Sequence, residues 1–209
     1  MKLEDGLDAC GIVAILRGVS PDEAIAMGQA LFEAGVRVVE VPLNSPAPFL
    51  SIAKLAKEFA GRMIVGAGTV LTVQDVNMLK SSGGEISVSP DCNEAVIARA
   101  VELGMVPLPG VFTPTEAFSA LRAGATHLKL FPAEAASPLV IKAWKAVLPR
   151  DVKIFAVGGI TPENMGEWLA AGARGFGIGS SIYKPGMSVE AVHNAASTLV
   201  SAWNRAKGK

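Results

Sequence analysis

The chain alternates short apolar runs with amphipathic stretches from end to end, and that alternation repeats eight times. Strand-like runs read as residues 11–17, 38–43, 64–69, 85–89, 105–109, 127–131, 153–157 and 175–179, starting about every 20–27 residues. Helix-start signals follow several of them. Ser20, Pro21 and Glu23 stand as N-cap, N1 and N3; Thr113, Pro114 and Glu116 repeat the pattern, and Thr161 and Pro162 repeat its first half. Gly35, Gly124 and Gly172 sit where helices of this kind stop. Sustained βα alternation requires a parallel sheet with helices outside, and eight units predict the closed (β/α)8 TIM barrel, one domain over residues 1–209. An open doubly wound sheet is the competing fold. It usually shows fewer units and a Gly-rich first turn, whereas Arg17-Gly18-Val19-Ser20 carries no G-x-G-x-x-G fingerprint.

Composition narrows the functional classes. Nineteen basic and nineteen acidic residues balance without runs of either sign, so neither nucleic acid nor an anionic membrane surface is an expected partner. Half the residues are hydrophobic and mean hydropathy is +0.40. No apolar stretch approaches the roughly 20 residues of a membrane span, so a doubly covered sheet and an oligomer interface account for the excess. Residues 1–10 are too acidic and broken for a signal peptide, and Cys10 and Cys92 lie in no metal or redox spacing; both point to the cytoplasm. His127 and His193 are too few and too far apart for a histidine metal centre.

Of the eleven lysines, only Lys129 has apolar residues on both sides and a Phe131-Pro132 stop just beyond. Period-two alternation puts His127, Lys129 and Phe131 on one face and Leu128 and Leu130 on the other. Burial of an ammonium favours the neutral amine, a nucleophile able to form a Schiff base with a carbonyl. The plainer readings are a lysine snorkelling from a strand end or paired with a buried carboxylate. Glu40 is a second anomaly, a carboxylate inside the apolar run Val38–Pro42 on the face opposite Val39 and Val41. A lysine nucleophile beside an acid/base is one reading of the two; a buried ion pair joining strands two and six is the other.

Barrel enzymes build their sites at the carboxyl ends of the strands. There, Gly158-Gly159 ends strand seven and Gly177, Gly179, Ser180 and Ser181 end strand eight, the usual phosphate position in this fold. The Gly-Gly turn is expected to lead into a helix N-terminus at Pro162. Arg17 is a fixed cation at the same rim, suited to a carboxylate or phosphate. Thr69 and Ser180 offer hydroxyls. His127, one layer deeper than Lys129, reads as a hydrogen-bonded core histidine, and Cys10, Cys92 and His193 as structural or solvated.

The motifs Ile15-Leu16-Arg17-Gly18, Val39-Glu40-Val41-Pro42-Leu43-Asn44-Ser45-Pro46, Val65-Gly66-Ala67-Gly68-Thr69-Val70, Leu128-Lys129-Leu130-Phe131-Pro132-Ala133-Glu134 and Phe155-Ala156-Val157-Gly158-Gly159-Ile160-Thr161-Pro162 resemble the 2-keto-3-deoxy-6-phosphogluconate / 6-phosphogalactonate aldolase family. The resemblance covers nearly the whole chain. It implies a class I aldolase on a (β/α)8 barrel, commonly trimeric, with no cofactor and no metal. Lys129 matches the Schiff-base lysine and Glu40 the acid/base. Asn44-Ser45 and Val157 stand where the gluconate-type enzymes usually carry Arg-Thr and Thr, which resembles the galactonate branch; Phe131-Pro132-Ala133-Glu134 looks more like the gluconate branch.

The implied substrate is a six-carbon 2-keto-3-deoxy acid bearing a 6-phosphate, cleaved to pyruvate and glyceraldehyde 3-phosphate. Arg17 and Thr69 would hold its carboxylate, and Gly158, Gly159, Gly179 and Ser180 its phosphate. Phe131 and Pro90 would wall the site, and Val157 would face the middle of the substrate. The alternatives are a gluconate-specific or dual-specificity aldolase and, more distantly, a phosphosugar isomerase or epimerase, or a phosphate-ligand sensor, on the same barrel.

Overall fold

The computed structural model describes residues 1–208. Its strands are β1 (Ile12–Ile15), β2 (Val38–Pro42), β3 (Ile64–Gly68), β4 (Ile86–Val88), β5 (Val106–Leu108), β6 (Gly110–Val111), β7 (His127–Leu130), β8 (Lys153–Val157) and β9 (Gly175–Ile178). All pair in parallel, in the order β5-β4-β3-β2-β1-β9-β8-β7-β6. The two ends of that order, β5 and β6, are consecutive pieces of one strand. Proline lacks the N–H a ladder needs, so Pro109 divides the strand; β5 pairs with β4 and β6 with β7. The Pro109 carbonyl accepts the Lys129 N–H at 2.9 Å, which carries the pairing across the break. The result is a (β/α)8 barrel with an interrupted fifth strand.

Helices α2 (Ala24–Glu33), α3 (Pro48–Glu58), α4 (Val73–Ser81), α5 (Glu94–Glu102), α6 (Pro114–Arg122), α7 (Pro138–Lys145), α8 (Met165–Ala170) and α9 (Val189–Lys207) follow the strands, after a short opening helix, α1 (Leu3–Ala9). Thr113 caps α6 as expected, accepting the Glu116 N–H while Glu116 accepts the Thr113 N–H. Gly35, Gly124 and Gly172 follow α2, α6 and α8 with φ of 101–104°. Two expected helix starts are corrected. The Ser20 N–H and hydroxyl both donate to the Glu23 carboxylate, at 3.3 and 2.6 Å, but Ser20 Oγ accepts no helix N–H among the described residues; residues 21–23 are turn and α2 begins at Ala24. Likewise α8 begins at Met165, after a turn over residues 162–164 in which Asn164 Oδ1 accepts the Thr161 N–H at 2.9 Å.

The period-two pattern sorts the core into two clusters. Outward strand residues such as Ala14, Val39, Val65, Leu128, Ile154 and Phe176 pack under the helices. Inward residues Val13, Val38, Ile64, Ile86, Val88, Leu108 and Phe155 fill the barrel with Leu7 of α1. Residues 3–9, whose sequence carries no strand or helix period, close the amino-terminal end of the barrel. Glu4 binds His127 Nε2 at 3.0 Å and Lys153 Nζ at 3.0 Å, with Arg174 at 3.7 Å. His127 stacks on Phe155 and accepts or donates to Thr126 and Glu4, the hydrogen-bonded core histidine expected. Leu7 is 1 % exposed, so Leu7→Ala should destabilise the barrel by about 2–5 kcal/mol, read as a lower urea midpoint at unchanged slope. A loss below about 1 kcal/mol would show that α1 does not hold the barrel closed.

Candidate active site

The inward face changes character towards the carboxyl ends of the strands. Glu40 and Lys129 both point into the barrel, 2 % and 7 % exposed. Strand register sets their height: Glu40 pairs with Ile15 and Gly66, one inward step beyond Val38 of the apolar plug, and Lys129 pairs with Gly110 and with Phe155 at the plug's upper edge. Glycine makes the room. A Cβ on Gly68 would strike the Glu40 carboxylate, so the side chain lies across a position that only glycine leaves open. Lys129 Nζ lies 4.3 Å from the centre of the Phe131 ring.

The two charges do not form an ion pair with each other among the described residues, and Glu40 Oε2 has no hydrogen-bond partner. A buried pair kept for structure would close that contact. Instead each group feels the other at a distance. Burial pushes the Glu40 carboxyl up to about 7, against the pull of Lys129 and Arg17. Burial also lowers the Lys129 ammonium, reinforced by Arg17 and opposed by Glu40 and Asp91. The outcome is a readily deprotonated amine opposite a carboxyl able to exchange protons near neutrality.

Arg17 follows β1 and lies exposed at the rim, its Nη1 donating to Asn44 Oδ1 at 2.8 Å. Thr69 follows Gly68 and holds φ +58°, a left-handed conformation that a β-branched residue adopts only at a cost of about 1–3 kcal/mol. Strain of this kind concentrates at working sites. Pro90 closes the end of β4, its carbonyl packed on Gly110, the register partner of Lys129. Phe131 is half-buried beside Lys129.

The remaining expected residues meet in one cleft. Val157, Gly158, Gly159, Gly179 and Ser180 line it together with Ile15, Thr161 and Ser181. Its lining holds no lysine or arginine. Donors come from the backbone: the N–H groups of Gly159, Ser180 and Ser181 have no partner among the described residues. Gly158 and Gly159 adopt φ of 108° and 67°, and Asn164 Nδ2 holds the Gly159 carbonyl at 2.8 Å. The helix N-terminus expected behind this turn is not there; the late start of α8 leaves the loop itself to present the donors.

Sequence reasoning had not singled out Glu134 and Asp91 at the site. The Glu134 carboxylate lies against Gly158, and Asp91 is close enough to bias Lys129. Glu134 could have been flagged by its place right after the Phe131-Pro132 stop. Asp91 offered no signal, because an Asp after a strand end is ordinary turn chemistry.

Comparison with known proteins identifies the family to which this chain belongs. The aldolase profile for KDPG and KHG aldolases matches residues 3–195. The chain belongs to the KDPG and KHG aldolase family. Within it, the chain is 47% identical to the 2-dehydro-3-deoxy-6-phosphogalactonate aldolase of Escherichia coli K12, covering 93% of this chain and 95% of that one. A solved native KDPGal structure superposes with a TM-score of 0.93 at 46% identity, covering 95% of this chain and 96% of the other. A cube-shaped cage designed by fusing symmetric oligomeric domains contains a chain with TM-score 0.93 and 47% identity, covering 94% of this chain and 73% of that one. This family member is thus an aldolase, a lyase.

Gly68→Ala tests the packing beneath Glu40 in this aldolase. The added methyl must displace the carboxylate, so turnover should drop by about 10²-fold while the circular-dichroism spectrum stays that of the folded barrel. Full activity in the variant would show that the position of the Glu40 carboxylate is not critical.

Proposed function

We propose that this aldolase cleaves 2-keto-3-deoxy-6-phosphogalactonate to pyruvate and glyceraldehyde 3-phosphate through a Schiff base on Lys129. The observation that carries the reading is the pairing of two inward, oppositely shifted groups that do not touch, Lys129 and Glu40. The neutral Lys129 amine adds to the C2 carbonyl, and loss of water gives an imine whose protonated nitrogen draws electrons. Glu40, directly or through water, takes the C4 hydroxyl proton; the C3–C4 bond breaks, and its electron pair moves into the enamine. Glyceraldehyde 3-phosphate leaves. Protonation at C3 and hydrolysis then free pyruvate and return the amine. An isomerase on this barrel could use the glutamate as a base, but would not require a desolvated lysine as nucleophile.

The rest of the site follows the substrate's length. Arg17 and Thr69 take the C1 carboxylate at the rim, Phe131 and Pro90 wall the reacting carbons, and the unpartnered N–H groups around Gly158, Gly159, Gly179 and Ser180 take the phosphate. With no cationic side chain and the Glu134 carboxylate in the lining, phosphate binding there rests on the backbone donors. Val157 lines the same cleft and turns an apolar face to the substrate's middle, which supports the galactonate configuration over the gluconate one.

The working enzyme is proposed to be a cytoplasmic homotrimer. Exposed Leu71, Val73, Phe112 and Phe118 are the kind of side chains an oligomer covers, and a cage of fused symmetric oligomers contains a close relative. Among the described residues no helix is long and apolar enough to cross a membrane.

Incubation with pyruvate and borohydride should add one reduced pyruvyl group, mapped by mass spectrometry to Lys129. Labelling elsewhere would overturn the assignment. Glu40→Gln should still trap pyruvate yet cleave substrate about 10²–10⁴-fold more slowly. In the wild type, kcat/KM should fall as pH drops through about 7, where the Glu40 carboxylate gains its proton, and the variant should lose that limb.

The branch is tested with both phosphorylated keto acids side by side. Val157→Thr restores a hydroxyl worth about 0.5–1.5 kcal/mol, so kcat/KM should move several-fold towards the gluconate substrate. A wild type that strongly prefers gluconate, with no movement in the variant, would overturn the galactonate assignment and leave the aldolase chemistry standing.

A further inference from the structure

Arg17 is an exposed arginine on a turn, and such a side chain ordinarily samples many rotamers. Here the surroundings restrict it on three sides. The Leu16 N–H donates to the Glu40 carbonyl at 2.9 Å, and the Gly18 N–H donates to the buried Ser45 Oγ at 2.9 Å. Gly18 itself stands at φ +83° with Pro185 packed where a Cβ would project. The backbone on either side of Arg17 is therefore tied to β2 and to the turn that follows it. That turn is anchored in its own right: the Leu43 N–H reaches the Gly68 carbonyl at 2.8 Å, and the Ser45 N–H the Pro42 carbonyl at 2.9 Å. One residue from that anchor, Asn44 Oδ1 accepts from Arg17 Nη1 at 2.8 Å.

The chemistry of this partner matters. A carboxylate in the same place would hold the guanidinium and also cancel much of its charge. An amide oxygen fixes the fork and leaves the charge intact. That charge reaches inward to both Glu40 and Lys129. With Oδ1 accepting from Arg17, the Asn44 amide keeps its two Nδ2 donors, so the pair is rich in donors for an approaching anion.

We propose that Asn44 is a positioning residue that holds the Arg17 guanidinium at the barrel mouth, undiminished in charge, for the carboxylate of the keto acid. The proposal rests on the aldolase reading above, in which Arg17 receives that carboxylate. Asn44 acts through Arg17, with Ser45 fixing the backbone beneath.

A double-mutant cycle in the full-length enzyme tests it, using pyruvate as the probe for borohydride trapping and the phosphorylated keto acid for turnover. Asn44→Ala should raise the half-saturating pyruvate concentration and KM about 10-fold, the scale of one hydrogen bond to a charged group, with kcat within about threefold. Asn44→Asp keeps the acceptor but adds the opposing charge, and should raise KM at least as much. In an Arg17→Ala background, Asn44→Ala should add no further loss, because nothing is left to position. An unchanged KM in Asn44→Ala, or an equal loss with and without Arg17, overturns the proposal. A thermal melt on each variant separates these results from unfolding, and Asn44→Asp, which preserves shape, serves if Asn44→Ala folds poorly. If Arg17→Ala itself leaves pyruvate binding unchanged, the carboxylate assignment of Arg17 fails and the positioning role fails with it. A loss in Arg17→Ala with none in Asn44→Ala sinks only the latter.

Discussion

Two groups of opposite charge share one desolvated barrel interior without touching, and most of the fold can be read as the means of keeping them so. Contact would relieve both, yet it would also pin the ammonium in its charged form and consume the carboxylate. Separation depends on register. Glu40 rises from β2 over the gap left by Gly68, and Lys129 rises from β7 against the Phe131 ring. Below them lies an apolar plug of seven inward strand residues and Leu7, which excludes the water that would otherwise restore both groups to their ordinary proton affinities.

Much of this was legible in the sequence because barrels obey two simple periods. Eight βα units and inward alternation placed Lys129 and Glu40 on the interior, and the strand-end rule grouped Val157, Gly158, Gly159, Gly179 and Ser180 before any coordinates. All five line one cleft. The illegible parts share a cause: they depend on contacts between segments far apart in the chain. Leu3–Ala9 has no periodicity long enough to announce a helix, and it is held by Glu4 meeting His127, Lys153 and Arg174 from other units. The strained φ of Thr69 likewise has no signature in residue type.

The helix starts teach a narrower lesson. A cap-and-proline motif states that a chain will turn, and at Thr113 the helix follows at once. At Thr161 the Asn164 side chain accepts the first N–H, residues 162–164 form a turn, and α8 begins only at Met165. The proposed anion site would thus rest on a loop and a strand end, with residues 162–164 between its lining and the start of α8.

Closure of the barrel floor by α1 has a consequence for traffic. With Leu3 and Leu7 seated among the inward side chains, the site opens at one end only. In the proposed chemistry the one substrate and both products use that single doorway. On that reading the aldehyde product carries no bond to the protein, whereas the three-carbon fragment remains tethered to Lys129. Water for hydrolysis of the tether has to enter where the aldehyde has just been. A stopper at the bottom thereby imposes a queue at the top: the phosphorylated fragment departs first, and only its departure admits the molecule that releases the second.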